Sequence, residues 1–452
     1  MKFPQNNTMN KKLYMVSLGC SKNLVDSEIM LGLLEKDGYR VTAEPENADV
    51  LLVNTCGFIG SAAREAIDEI LALASYKQKD PAKKLVVTGC LVQRYGIELE
   101  KELPEVDLFI GTNGFHNIVE QLHGQKPPVP FAHSLEQSPF LMDSSLPRKV
   151  STPLHRAYMK ITEGCINRCS YCLIPAIRGK LRSRPIPDLI TEARRLDAGG
   201  VKELTLVAQD LLAYGLDLKK KTHLSGLLLE LLASTEIPWI RLLYLHPARV
   251  QKELLFLMTE NPRIVPYLDI PFQHVSDRIL QLMNRPYSKN QIIQLMDKIR
   301  ATVPGAALRT TMMVGFPGET EGDMTEMTDF LQQHHFEHLG VFAYANEEGC
   351  KAASFPDQVP EEVKEERLRK IMELQAEISF AALQRHIGRV EEVLVEGLSK
   401  ESDLLLEGRT RHQAPEIDGC VYITQGTADP GAIVSVTITE AHTYDLVGEI
   451  KE

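Results

Sequence analysis

The chain has 452 residues, 44% hydrophobic and 25% charged, with a formal net charge of −11. That length exceeds what one core organises, so two or three domains are expected, and the acidic balance gives no general electrostatic reason to bind nucleic acid. The opening MKFPQNNTMNKK lacks the apolar stretch of a signal peptide, and runs such as LSGLLLELLA near residue 225 are too short and interrupted to span a bilayer. The expectation is a cytoplasmic protein without membrane contact, where thiols stay reduced and clustered cysteines point to metal rather than disulfides.

Residues 13–123 alternate strand and helix. KKLYMVSLGC, ADVLLVNTC and KKLVVTGC read as apolar strands; SEIMLGLLEKDG, from Ser27 to Gly38, and SAAREAIDEILALAS read as helices. Apolar strands between helices predict a doubly wound parallel sheet. Prolines 127, 128, 130, 139, 147 and 153 mark residues 124–153 as a linker. Over 154–385 the alternation resumes with a longer repeat: AYMKITEGC, ELTLVAQD, WIRLLYLHP, IVPYLDIPFQH, LRTTMMVGFPG and LGVFAYANEEG are strands, with helices such as ITEARRLDAGG and NQIIQLMDKIRATVPG between them. Six such units, not eight, predict a partial (β/α)6 barrel open along one side, which suits a large substrate. A charged amphipathic helix, PEEVKEERLRKIMELQAEISFAALQRHIG, follows. Residues 386–452 turn to short strands, VEEVLVEGL, DLLLEGRT, CVYITQG and AIVSVTITEA, and predict a small OB-like all-β barrel of about five strands. The fold class is therefore α/β with an all-β C-terminal domain.

EGCINRCSYCLIP places Cys165, Cys169 and Cys172 in the order C-x3-C-x2-C, after the first strand of the central domain. Three thiols suit neither a disulfide framework nor a structural zinc site unless a histidine such as His155 completes it. A four-iron cluster held by three thiolates keeps one iron open for an exogenous ligand, whereas a pure electron carrier has all four irons ligated. Cys20, Cys56 and Cys90 lie 36 and 34 residues apart, but each closes a predicted strand. The carboxyl ends of parallel strands share one edge of a doubly wound sheet, so these three cysteines are expected to converge on a second cluster with an open iron. The competing reading is three unrelated buried cysteines. Cys350 and Cys420 share no such placement and read as structural.

The C-x3-C-x2-C spacing, with Tyr171 before its third cysteine, resembles the radical S-adenosylmethionine superfamily. The resemblance implies that the open iron chelates S-adenosylmethionine and that one electron cleaves it to a 5′-deoxyadenosyl radical. Candidate cofactor-binding residues at strand ends are Tyr171, Gln209 and Gly315, in company with Asp210, His246, Gln273, His274 and Gly318. The glycines of VGFPGET would let backbone amides approach the ligand. Each polar residue reads equally as a turn or helix cap, and each histidine as a hydrogen-bonded core position.

Taken together, VSLGCSKNLVDSE, NTCGFI, YCLIPAIRGKLRSRP, VGFPGET and RTRHQAPEIDG make the chain resemble the methylthiotransferases, in detail the RimO type that modifies a ribosomal protein, with a TRAM domain as its C-terminal barrel. Ala345 and Asn346, where a small hydroxyl residue is expected nearby, and Cys350 are small departures. The resemblance implies two 4Fe-4S clusters, one on Cys20, Cys56 and Cys90 and one on Cys165, Cys169 and Cys172. One S-adenosylmethionine would methylate a sulfur on the first cluster. A second, split at the other cluster, would remove hydrogen from the β-carbon of an aspartate of small-subunit ribosomal protein uS12. A flavodoxin or ferredoxin would supply electrons. The alternatives are a tRNA adenosine methylthiotransferase and a non-enzymatic iron–sulfur carrier. Residues 386–452 carry five Lys/Arg against thirteen Asp/Glu, a net of −8. That repels tRNA and attracts a basic protein, though Arg409 and Arg411 remain as cations able to touch RNA.

Overall fold

The computed structural model describes residues 11–125 and 140–451. It divides into two compact units. One holds Met1–Ser151, Thr162–Asn167 and Cys172–Leu189; the other holds Thr152–Ile161, Arg168–Tyr171 and Ile190–Glu452.

In the first unit, β1 (Lys12–Ser17), β2 (Arg40–Val41), β3 (Val50–Thr55), β4 (Lys84–Gly89) and β5 (Leu108–Gly111) form an all-parallel sheet of order β2-β1-β3-β4-β5. Helices α1 (Ser21–Lys36), α2 (Gly60–Lys79), α3 (Cys90–Glu102) and α4 (Ile118–Leu122) alternate with them. Leu51, Val53, Leu85 and Val87 pack with α2 and α3 in one core, and the opposite-pointing Val50, Leu52 and Val86 are buried as well. Burial on both strand faces is what a doubly wound sheet requires.

Helix α1 starts at Ser21, six residues before the apolar spacing indicates. Its first turns bury polar residues, Lys22, Asn23, Asp26, Ser27 and Glu28, which carry no hydrophobic period. Of the expected linker, the prolines at 127, 128, 130 and 139 lie outside the described residues. Residues 147–151 are held against α1 rather than free: Arg148 pairs with the buried Glu28 at 2.6 Å, and the Ser151 N–H donates to the same carboxylate at 2.7 Å.

Further along the chain come β6 (Arg156–Lys160), a two-residue antiparallel pair β7 (Thr162–Glu163) and β8 (Arg182–Ser183) around α5 (Ile174–Arg178), and then α6 (Ile186–Ala198). In the second unit, β6 is followed by β9 (Glu203–Val207), α7 (Leu224–Ser234), β10 (Trp239–Leu242), α8 (Lys252–Glu260), β11 (Tyr267–Asp269), α9 (Asp277–Leu282), α10 (Lys289–Thr302), β12 (Ala307–Val314), α11 (Glu321–Gln333), β13 (His338–Ala343) and α12 (Glu361–Leu383). The strands form two parallel sheets, β10-β9-β6 and β11-β12-β13, joined where the Leu245 N–H donates to the Asp269 carbonyl at 2.8 Å. The six run in the order β6-β9-β10-β11-β12-β13. Among the described residues β6 and β13 do not pair, so the partial barrel is open.

Strands β14 (Val390–Leu398), β15 (Leu406–Thr410), β16 (Val421–Gln425), β17 (Ile433–Ala441) and β18 (Leu446–Ile450) close a second barrel of order β14-β15-β16-β18-β17 over a core of Val393, Val395, Val421, Ile423, Val436, Ile438 and Leu446. The connection after β15 docks on the amino ends of the central strands. Arg409 is buried between Glu203, the first residue of β9, and Glu396 of β14, each at 2.5 Å. Arg241 of β10 also holds Glu203 at 2.5 Å, and His155 holds Glu396 at 2.9 Å. The buried Asp418 accepts from Tyr267 Oη at 2.7 Å and lies 3.5 Å from both Arg309 and His338. The expectation that Arg409 and Arg411 stand available to RNA is thereby corrected. Arg409 is internal, and Arg411 donates to the Pro262 carbonyl and lies 3.5 Å from Glu392.

Burial alone would raise the Glu203 carboxyl, but Arg409 and Arg241 outweigh it and pull it down from 4.5 to about 2. Glu396 is held down to about 2 in the same way, against desolvation, by His155, Arg409 and Arg156. Carboxylates depressed in the fold stabilise it above their ordinary pKa and lose that contribution as pH falls toward the folded value. This interface should therefore weaken between about pH 4.5 and 2. Arg409→Met, which leaves two buried carboxylates short of a cation, should lower unfolding stability by ~3–5 kcal/mol in denaturant titrations at neutral pH.

Candidate metal centres

In the first unit the register pairs Ser17 with Asn54 and Thr55 with Gly89, so the carboxyl ends of β1, β3 and β4 lie side by side. Cys20 is the N-cap of α1, Cys56 follows β3, and Cys90 opens α3. Two helix amino ends, each a partial positive charge that favours thiolate, thus fall at this edge. A glycine flanks each cysteine. Gly19 has φ +91°, and a Cβ there would come within 2.9 Å of the Cys56 Cβ; a Cβ on Gly57 would meet the Leu91 Cα at 2.5 Å. The backbones could not approach so closely with any other residue.

Arg178, buried, lies beside the thiols. It donates to Cys90 Sγ at 3.3 Å, to Asp26 at 2.8 Å, to Asn23 Oδ1 at 3.1 Å and to Glu163 at 3.2 Å. Burial pushes the Cys90 thiol up to about 11, opposed by Arg178 and reinforced by Cys20 and Cys56. Burial also raises Cys56. Cys20 is exposed as a residue, yet desolvation of its sulfur is the largest single influence; Lys22, Arg178 and the Asn23 N–H outweigh it and leave the thiol below its ordinary value. Arg178 opposes the upward push of burial on all three thiols, and touches the sulfur of Cys90. As folded here, no three His, Cys, Asp or Glu side chains among the described residues are drawn tightly enough together to hold a metal ion, and all eight cysteines are free thiols. Thiol-only donors, shape-required glycines and a compensating buried cation fit an iron–sulfur cluster.

Of the second group, Cys165 and Cys172 fall in the first unit and Cys169 in the second. The Cys165 N–H donates to the Gly179 carbonyl at 3.2 Å, and the Asn167 N–H reaches Cys165 Sγ at 3.4 Å. In the second unit, Ser170 is pinned to the end of α9 through the Met283 and Leu282 carbonyls. Arg285 donates to Cys169 Sγ at 3.5 Å, to Tyr287 Oη at 2.6 Å and to the Pro271 carbonyl at 2.7 Å. Tyr171 packs against Ile279, Met283, Phe316 and Tyr344 at the carboxyl end of the barrel. Each cysteine group therefore has one arginine on one sulfur, Arg178 buried and Arg285 half-buried. Arg178 lies inside the YCLIPAIRGKLRSRP stretch, where nothing local marks it as a partner of Cys90; Arg285 carries no sequence signal.

The remaining candidates divide. Gln209 is half-buried just past β9. Asp210 caps the following turn through the Leu212 N–H and pairs with Arg249 at 2.5 Å. His246 accepts the Ala248 N–H; burial, with Arg285 and Arg249, pushes it down to about 2, so it stays neutral. Gln273, at φ +73°, extends the sheet by bridging to Met312. His274 is buried; its Nδ1 accepts the Ser276 N–H, which leaves Nε2 to donate to Glu319 at 3.3 Å. Gly315 and Gly318 do not offer free amides, as expected of them: their N–H groups donate to Glu319 at 2.8 Å and to the Asp357 carbonyl at 2.8 Å. Gly315 is required by shape, since at φ +72° a Cβ would fall 2.2 Å from Lys364 Cγ.

Three family models match: the uncharacterised protein family UPF0004 over residues 12–111, the radical SAM superfamily over 159–331 and the TRAM domain over 387–450. The chain is 53% identical over 439 residues to the ribosomal protein uS12 methylthiotransferase RimO of Desulfotalea psychrophila, covering 97% of this chain and 99% of that one. It is 50% identical to the protein of the same name from Pelobacter propionicus, covering 98% and 99%. Among solved structures it resembles TsrM, a radical S-adenosylmethionine methyltransferase from Kitasatospora setae with cobalamin and a 4Fe-4S cluster bound (TM-score 0.54, 16% identity, 74% of this chain and 72% of that one). It also resembles the cobalamin-dependent radical enzyme OxsB (TM-score 0.51, 10% identity, 81% and 56%). At such identities the likeness is one of fold.

In metal-free protein at mildly alkaline pH, iodoacetamide should label Cys20 at least about tenfold faster than Cys90, because thiolate fraction and access both favour it. Peptide mass spectrometry over a time course measures the order, and equal rates would contradict the electrostatics described.

Proposed function

The chain belongs to the RimO family of ribosomal protein uS12 methylthiotransferases, and we propose that it works from two iron–sulfur centres, one on Cys20, Cys56 and Cys90 and the other on Cys165, Cys169 and Cys172. It is a radical S-adenosylmethionine enzyme that adds a methylthio group to uS12, and the tRNA alternative is not favoured. The observation that carries the two-centre reading is the placement of three cysteines at neighbouring strand ends, with the buried Arg178 on the Cys90 sulfur. The finer assignments are the β-carbon of an aspartate as the site modified, a flavodoxin- or ferredoxin-type donor, and the cytoplasm as the place of action.

When bound, cluster and S-adenosylmethionine supply one-electron cleavage of a sulfonium, and hence a species able to take hydrogen from an unactivated carbon. The chain's own residues do the rest. Six thiolates hold iron, leaving each group one ligand short and so open to an exogenous donor. Arg178 offsets the charge gathered on the buried Cys90, where water does not, and Arg285 that on the half-buried Cys169. Tyr171, Gln209 and Gly315 belong to the cofactor pocket: Tyr171 as a wall packed on Phe316, Gln209 as a polar group past β9, and Gly315 as a turn whose shape the Glu319 carboxylate fixes. Neutral His246 adds no positive charge to that rim.

Anaerobically reconstituted protein should carry about eight irons and add a methylthio mass to one uS12 aspartate. Cys169→Ala should abolish cleavage of S-adenosylmethionine. Cys56→Ala should retain cleavage yet yield no methylthiolated uS12. Full product from Cys56→Ala would refute the role given to the first centre.

A further inference from the structure

Strand β13 is an open edge. The Tyr344 N–H donates to the Val314 carbonyl, so by strand alternation Tyr344, Phe342, Gly340 and His338 direct their backbone groups to β12, while Leu339, Val341 and Ala343 direct theirs outward. Among the described residues those outward N–H and C=O groups have no hydrogen-bond partner. The edge is not blunted in the usual ways: the strand has no proline, no charged side chain beyond His338 at its start, and no bulge. Instead it floors a cleft of about 440 Å³ lined by Leu339, Val341, Phe342, Met372, Ile417 and Tyr444. Phe342, Ile417 and Tyr444 are 55%, 47% and 40% exposed, so apolar area awaits cover beside an unpaired backbone.

The surroundings say what would cover it. On α12, which packs against β13, Glu361, Glu362, Glu365, Glu366, Glu373 and Glu377 are exposed against only Arg369 and Lys370. The C-terminal barrel on the other side carries the −8 counted above. The edge also has a direction. It begins at His338, held by Asp418 and the His412 carbonyl, and ends at Ala343, next to Tyr344 of the apolar cluster on which Tyr171 of the cysteine loop packs. Six residues at about 3.3 Å each span about 20 Å between those points.

We infer that β13 is the docking strand for the substrate: an extended, Lys/Arg-flanked segment of uS12 pairs with the outward groups of Leu339, Val341 and Ala343 and sets its apolar side chains in the cleft. Strand addition supplies main-chain hydrogen bonds for affinity, alternate side-chain pockets for specificity, and acidic rims for a basic partner. A segment so held is led from the C-terminal barrel to the catalytic end of the central one, and its register on β13 sets which residue arrives there. This inference rests on uS12 being the substrate.

Amide hydrogen exchange of the full reconstituted chain with and without purified uS12 tests it. Expected is slower exchange of the outward Leu339, Val341 and Ala343 amides on addition of uS12. In Phe342→Asp and Val341→Pro that protection should be lost and KM for uS12 raised about tenfold or more, with S-adenosylmethionine cleavage in the absence of uS12 unchanged. If uS12 is methylthiolated and protects other segments but not 338–343, the docking strand is refuted while the uS12 assignment stands. Slow exchange of the Leu339, Val341 and Ala343 amides in the free chain, from its own covering segment or a second copy, also refutes it. If uS12 neither binds nor gains mass, both fall.

Discussion

A guanidinium sealed from water is the constraint around which the N-terminal unit is arranged. A buried cation is tolerable only with its charge and N–H groups matched, and a group of thiolates is tolerable only beside a cation. Arg178 meets both conditions at once, with Asp26, Glu163, Asn23 and Cys90 as partners. Meeting them forces the first turns of α1 to be polar and yet buried. That in turn places Cys20 at the helix N-cap, against strand ends that only the flanking glycines allow to come so near.

The same constraint explains what could be read from the sequence. Strands announce themselves because β3 and β4 are apolar throughout, and cysteines at three strand ends announce one edge of a parallel sheet. The start of α1 is silent, since Lys22, Asn23 and Asp26 look like loop residues until their partners are known. Arg285 is silent for a different reason: its link to Cys169 spans 116 residues, and no local pattern encodes it. His246 and His274, chemically suggestive in isolation, are a turn cap and a core hydrogen-bond donor. Only the three-dimensional neighbours, not spacing, distinguish those roles from ligation.

Charge likewise depends on position. The C-terminal barrel is acidic by composition, but the Asp418 side chain and Arg409 are internal and Glu396 is half-buried. What solvent meets is an excess of carboxylates on the outer strands and on α12, and two of the arginines that might have softened it are engaged inside the second unit. Taking two carboxylates and two arginines out of the count leaves the balance as it was, so the surface keeps the acidic excess of the bare tally.

Glu203, at the head of a central strand, takes guanidinium groups from two places far apart in the chain: Arg241, thirty-eight residues on, and Arg409, two hundred and six residues on. The point near residue 387 where the C-terminal family match begins is thus not a seam in the fold. Grafting a C-terminal barrel from a relative with another substrate would leave an unmatched carboxylate at the floor of the (β/α)6 domain, unless the floor were changed with it. Exchange of substrate-reading modules in such a chain has to proceed by paired substitution across the joint, so the history of its specificity should be recorded in covarying positions on both sides.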